Sequence, residues 1–122
     1  MNILVVDDSE SMRRIIIRML NDMGYTNISQ AENGVEAVNT VRRQAVDLIL
    51  LDWNMPEMDG LATVKHLREQ GNRTPIVMVT TEGERSKVVT AAKAGVTNYI
   101  LKPFEQDVLQ RIVDSVLKPK AA

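Results

Sequence analysis

The sequence predicts an α/β domain, a five-stranded parallel sheet covered by helices on both faces. Three observations carry this. Short aliphatic runs alternate with longer amphipathic stretches through five cycles in 122 residues. The runs at 3–6 and 48–51 are continuously apolar, as strands buried on both faces are. Helix-capping residues and glycine stops fall between the two kinds of stretch. Strict strand–helix alternation favours parallel neighbours joined by right-handed crossovers. A closed eight-unit barrel needs roughly 250 residues, more than this chain has.

The elements follow in order. Residues 3–6 (Ile-Leu-Val-Val) form the first strand. Ser9 or Ser11 can cap the first helix, which carries Met12, Ile15, Ile16, Met19, Leu20 and Met23 at helical spacing and stops at Gly24. Residues 27–31 are a weaker strand, and Val35, Val38 and Val41 mark a second helix after Asn33-Gly34. Residues 47–51 are the third strand, and Gly60 opens a helix with Leu61, Val64 and Leu67. Residues 75–79 are the fourth strand, and Val88, Val89, Ala91 and Ala92 sit on a helix that Gly95 ends. Residues 97–101 are the fifth strand. The last helix carries Val108, Leu109, Ile112, Val113, Val116 and Leu117, leaving 118–122 as a tail.

Composition narrows the function classes. A net charge of −1 provides no basic footprint for nucleic acid. The absence of cysteine excludes disulfides and thiolate metal sites. The apolar runs are too short for a signal peptide core or a membrane span. One domain over 1–122, with no output domain, and a cytoplasmic location are therefore expected. His66, the single histidine, reads as a surface residue on the third helix, and the seven methionines read as core packing.

In open parallel sheets, ligands bind outside the carboxyl ends of the strands. There the sequence places Asp7-Asp8, Asp52, Thr80-Thr81 and Lys102-Pro103. Each alone has an ordinary role: Asp7 or Asp8 as a helix cap, Asp52 in a turn before Pro56, Thr80 as a cap, Lys102 as a solvated charge. Their meeting at one edge is the informative fact. Unit charges ~4 Å apart interact by about 4 kcal/mol at an effective dielectric of ~20, so three clustered carboxylates need a cation or a raised pKa. A hard divalent cation suits oxygen ligands, and Mg²⁺ typically pairs carboxylates with a phosphate. A carboxylate beside Mg²⁺, the Thr80 hydroxyl and the Lys102 ammonium is arranged for phosphoryl transfer, with Asp52 as nucleophile.

The segments Val5-Val6-Asp7-Asp8, Asp52-Trp53-Asn54-Met55-Pro56-Glu57-Met58-Asp59-Gly60, Val79-Thr80 and Lys102-Pro103-Phe104 resemble those of response-regulator receiver domains, most of all the chemotaxis branch. The resemblance spans the whole chain, with its motifs in family order and spacing. It implies a flavodoxin-like, doubly wound sheet of order 2-1-3-4-5. It implies Asp52 as phosphoacceptor, and Asp8, Asp52 and the Asn54 carbonyl as ligands of Mg²⁺, with Asp7 acting through metal-bound water. Lys102 would bind the phosphoryl group, with a cis bond to Pro103. Thr80 and Tyr99 would be the switch residues. Asn54 and Glu82 would tune the lifetime of the phosphorylated state, a pair that the resemblance associates with short lifetimes. Thr81 departs from the small residue usual at its position, and its bulk would hinder access to the site.

The implied partners are a sensor histidine kinase as donor, a phosphatase, and a protein effector that meets Lys87, Tyr99 and Lys118. For a chemotaxis regulator that effector is the flagellar motor switch, while a stand-alone receiver can also serve a phosphorelay. A monomer that binds neither nucleic acid nor membrane is expected, and a signalling protein rather than an enzyme. Two rival classes share features. Haloacid-dehalogenase-type phosphohydrolases place a second aspartate two positions after a nucleophile on the first strand, whereas Asn54 follows Asp52 here on the third. Flavodoxins need a phosphate-binding loop after the first strand, where Asp7-Asp8 would repel it.

Overall fold

A computed structural model describes residues 1–118, and the predicted tail lies mostly outside them. Ten elements alternate: β1 (Ile3–Val6), α1 (Glu10–Asp22), β2 (Ile28–Ala31), α2 (Gly34–Arg43), β3 (Leu48–Leu51), α3 (Gly60–Glu69), β4 (Ile76–Thr80), α4 (Arg85–Ala94), β5 (Asn98–Leu101) and α5 (Gln106–Leu117). All strand pairings are parallel, in the order β2-β1-β3-β4-β5. This is the doubly wound order that the resemblance implies.

The apolar runs explain the layering. Every residue of β1, β3 and β4 is buried, while the edge strands β2 and β5 are partly exposed. Successive side chains in a strand point to opposite faces. Ile3, Val5, Leu48 and Leu50 accordingly pack with Ile16 and Leu20 of α1 and Leu109 and Val113 of α5. Leu4, Val6, Ile49 and Leu51 pack with Ala37 and Val38 of α2, Val64 and Leu67 of α3, and Ala91 of α4.

Local chemistry sets the helix starts. Ser9 caps α1, Asn33 caps α2 and Asp59 caps α3, each accepting a backbone N–H in the first turn. Gly24 and Gly95 take positive φ just past α1 and α4, as predicted.

Some expectations change. Ile15, Val35 and Val89 lie outside the buried stripes and are 47%, 43% and 42% exposed. Helical spacing admits them, but rotation of each helix on the sheet decides. β4 runs on through Thr80, whose carbonyl accepts the Lys102 N–H at 2.9 Å. His66 is only partly exposed, and its Nε2 is buried without a partner among the described residues.

Candidate functional site

The site forms where β1 and β3 run side by side and their following chains diverge. Val6 pairs with Leu51, so the next residues, Asp7 and Asp52, emerge as neighbours. The Asp52 N–H bonds the Val6 carbonyl at 3.0 Å and continues the ladder to the site. Asp7, Asp8 and Asp52 offer carboxylate oxygens within 4.8 Å of one another. Asp7 and Asp52 are 2% and 8% exposed, and Asp8 faces solvent.

Lys102 enters from the end of β5, two strands from β3, on a stem long enough to cross β4. Its Nζ lies 2.7 Å from Asp7 Oδ2 and 3.4 Å from Asp52 Oδ2. It is therefore a buried partner of the acids, not a solvated charge. The Lys102–Pro103 bond is cis, as the resemblance implies. Backbone donors hold the other oxygens: Ser9 N–H to Asp7 Oδ1 at 2.9 Å and Trp53 N–H to Asp52 Oδ1 at 2.7 Å. Burial pushes the Asp52 carboxyl above its ordinary range, against the pull of Lys102 and the Thr80 hydroxyl, and Asp7 adds to the rise.

The loop after β3 approaches closely. A β-carbon on Gly60 would stand 2.8 Å from Trp53 Cα, so glycine there lets α3 start directly beside the phosphoacceptor candidate. Trp53 is buried next to Asp52, while Asn54 is exposed.

The predicted switch residues meet at Glu82. Thr80, fully buried, accepts the Glu82 N–H at 3.3 Å. The Tyr99 hydroxyl donates to the Glu82 carbonyl at 2.5 Å. The Glu82 carboxylate accepts the Asn54 amide at 2.8 Å and pairs with Lys87 at 3.5 Å. The Asn54 bond is the main cause of a lowered Glu82 pKa, with Lys87 acting in the same direction against desolvation. Tyr99 is shifted up, by burial first and then by the charges of Glu82 and Asp52. Thr81 points to solvent.

Sequence reasoning left Arg13 unassigned and foresaw only part of what Glu82 and Lys87 do. Arg13 is buried, donating to the Asp7 carbonyl at 2.6 Å and to Gln30 Oε1 at 3.0 Å. Glu82 acts through its backbone as well as its side chain. Lys87 was expected to face a partner, yet it also lies 4.9 Å over the Trp53 ring. Lys118 sits apart from the site, 3.7 Å from Asp114 and 5.5 Å over the Tyr25 ring.

Three carboxylates with ion pairs only to Lys102, among the described residues, leave excess negative charge at an oxygen-rich edge. That donor set fits a hard divalent cation such as Mg²⁺. Two surface grooves lie away from this cluster, one of about 310 Å³ beside Val38 and Leu67 and one of about 400 Å³ along Arg14 and Ile15.

Comparison with known proteins bears on the family and the fold. The model of the response regulator receiver domain family matches residues 3–114. The chain is 49% identical to the chemotaxis protein CheY1 of Helicobacter pylori over 120 residues, covering 96% of this chain and 97% of that one. The crystallised chemotaxis protein CheY4 of Vibrio cholerae superposes with a TM-score of 0.87 at 36% identity, covering 94% and 97% of the two chains. The receiver domain of the Pseudomonas aeruginosa sensor histidine kinase PA1611 superposes with a TM-score of 0.86 at 32% identity, covering 95% and 96%, and carries a magnesium ion in its active site cleft.

Proposed function

This chain belongs to the response regulator receiver domain family of two-component signalling, and we propose that Asp52 is its phosphoacceptor. The observation that carries the proposal is the buried Asp52 carboxylate, held within 4.8 Å of Asp7 and Asp8 and 3.4 Å from the Lys102 ammonium.

An Asp52 carboxylate oxygen attacks the phosphorus of a phosphohistidine on a sensor kinase. The phosphorus–nitrogen bond breaks, an acyl phosphate forms, and the released imidazole takes a proton from solvent. Asp7, Asp8, Asp52 and the Asn54 carbonyl would hold Mg²⁺, which when bound supplies positive charge against the phosphoryl oxygens. Lys102 gives a second positive charge to the phosphoryl oxygens, from its place beside Asp7 and Asp52. Thr80 offers its hydroxyl hydrogen to a phosphoryl oxygen, and movement of Thr80 toward that group pulls on the Glu82 N–H that its oxygen accepts. Tyr99 bonds the carbonyl of the same residue, so a shift of Thr80 reaches Tyr99 through one peptide segment.

The output is a population shift of the face built by α4, β5 and α5, read by a protein effector. Similarity to CheY1 favours a chemotaxis role, with the flagellar motor switch as effector and a phosphatase to reset it. No described helix is long and apolar enough to cross a membrane, and the proposed setting is the cytoplasm.

The test is Trp53 fluorescence during exposure to beryllofluoride or acetyl phosphate, with and without Mg²⁺. A Mg²⁺-dependent change in wild type that Asp52→Asn lacks is expected. An equal response from Asp52→Asn would sink the assignment.

A further inference from the structure

Lys87 reaches from the first turn of α4 to both loops that flank Asp52. Its ammonium lies 3.5 Å from Glu82 Oε1 and 4.9 Å over the ring of Trp53. The other Glu82 oxygen, Oε2, takes the Asn54 amide at 2.8 Å. Asn54 stands two residues after Asp52, and Glu82 two after Thr80. Because β3 and β4 are adjacent, Asn54–Glu82 joins the two loops that rise directly above Asp52 and Thr80. The chain Asn54–Glu82–Lys87–Trp53 is thus a closed bracket of side chains along the rim of the site.

We infer that Lys87 is a positioning residue for the lifetime of the phosphorylated state, holding Glu82 against Asn54 so that the bracket restricts water at the phosphoryl group. This deepens the phosphoacceptor assignment and rests on it. The step controlled is hydrolysis. A water oxygen bonds to phosphorus, the bond from phosphorus to the Asp52 oxygen breaks, and inorganic phosphate leaves. The carboxylate is restored and the water protons pass to phosphate and solvent. Without Lys87 the Glu82 carboxylate loses its cation and is repelled by the incoming phosphoryl charge. The bracket then opens toward solvent. Both partners are partly exposed, with Lys87 at 38% and Glu82 at 27%, so screening keeps the effect moderate.

The experiment labels the protein from radioactive acetyl phosphate with Mg²⁺, removes the donor and follows loss of label. Uptake by wild type and none by Asp52→Asn is the first reading. Failure there overturns the phosphoacceptor assignment, and this inference with it. Given uptake, Lys87→Ala and Lys87→Met are expected to lose label faster by about two- to fourfold, the scale on which a partly exposed ion pair acts. Lys87→Met keeps an apolar chain over Trp53, so its agreement with Lys87→Ala isolates the charge. Lys87→Arg restores the wild-type rate. In a Glu82→Ala background, Lys87→Ala adds nothing, because coupled residues are non-additive when one acts through the other. Decay at the wild-type rate or slower in Lys87→Ala, or an undiminished effect without Glu82, overturns the inference while leaving Asp52 as phosphoacceptor.

Discussion

The half of the molecule that carries the acids and the half proposed to report on them are built differently. Asp7 and Asp52 leave fully buried strands, and α1, α2 and α3 each begin with a side-chain cap. On the other side, α4 buries only Ala91, and its N-cap residue Glu84 makes no side-chain bond. The strand beside it, β5, buries only Ile100. Local opening is easiest where buried apolar contact is least. The contrast teaches that the proposed phosphoacceptor stands on a well-buried frame, while the face proposed to respond has little buried apolar contact in α4 and β5. A population shift needs such an element, because a small change in free energy can move it.

Core substitutions give the sharpest test. Leu50→Ala in β3 empties a 1% exposed site and is expected to cost about 3–4 kcal/mol. Val89→Ala in α4 removes methyls from a 42% exposed site and is expected to cost under about 0.5 kcal/mol. Urea unfolding of both measures the difference. Similar losses would mean that α4 is as firmly packed as the frame, and the contrast would fail.

The same contrast explains what the sequence disclosed. Asp7, Asp52, Thr80 and Lys102 were legible because each stands where an aliphatic run stops, and strand ends in a parallel sheet share one edge. β1 was legible to the residue, and its neighbours within one at either end, for the same reason. The hub at Glu82 was not, because its N–H and carbonyl do the joining and backbone groups leave no mark on side-chain pattern. Lys87 escaped for a different reason. Its position over Trp53 depends on how α4 is rotated, and Val88, Val89, Ala91 and Ala92 offered several apolar faces of which only Ala91 is buried. Arg13 carries no signal in the side-chain pattern, and it is buried because the Asp7 carbonyl and Gln30 accept its donors.

α5 qualifies the comparison. It too lacks a side-chain N-cap, but Leu109, Val113 and Leu117 are buried, and the Tyr25 hydroxyl bonds Asp114 at 2.6 Å. Tyr25→Phe is expected to cost about 1.5–2 kcal/mol near neutral pH, as for a hydrogen bond to a charged acceptor. Burial, then the bond and charge of Asp114, raise the Tyr25 pKa from 10.0 to about 12. A folded pKa above the unfolded one gives stability that is complete below pH 10.0 and lost as pH rises through about 12. The deficit of Tyr25→Phe should therefore be constant up to pH 10.0 and shrink above it. A deficit that grows with pH would show that Tyr25 does not tether α5 as a neutral phenol.

Helix caps give the smallest effect and the most local one. Asp59 Oδ1 accepts the Ala62 N–H at 2.8 Å, so Asp59→Ala should cost about 1 kcal/mol. Glu84 holds the same position on α4 without such a bond, and Glu84→Ala should cost only a few tenths, from lost charge at the helix N-terminus. Glu84→Ser supplies a hydroxyl that can reach the open N–H groups of the first turn, where the backbone already has the extended conformation a cap requires. It should slow amide exchange in α4 while leaving α3 unchanged. If the missing cap is what leaves α4 loosely held, that variant also weakens the beryllofluoride response by stiffening the element proposed to move. If the single buried alanine is the cause, exchange slows only in the first turn and the response is kept. The burial pattern favours the second outcome, because a cap acts on one turn while Ala91 is the one buried residue on the whole helix.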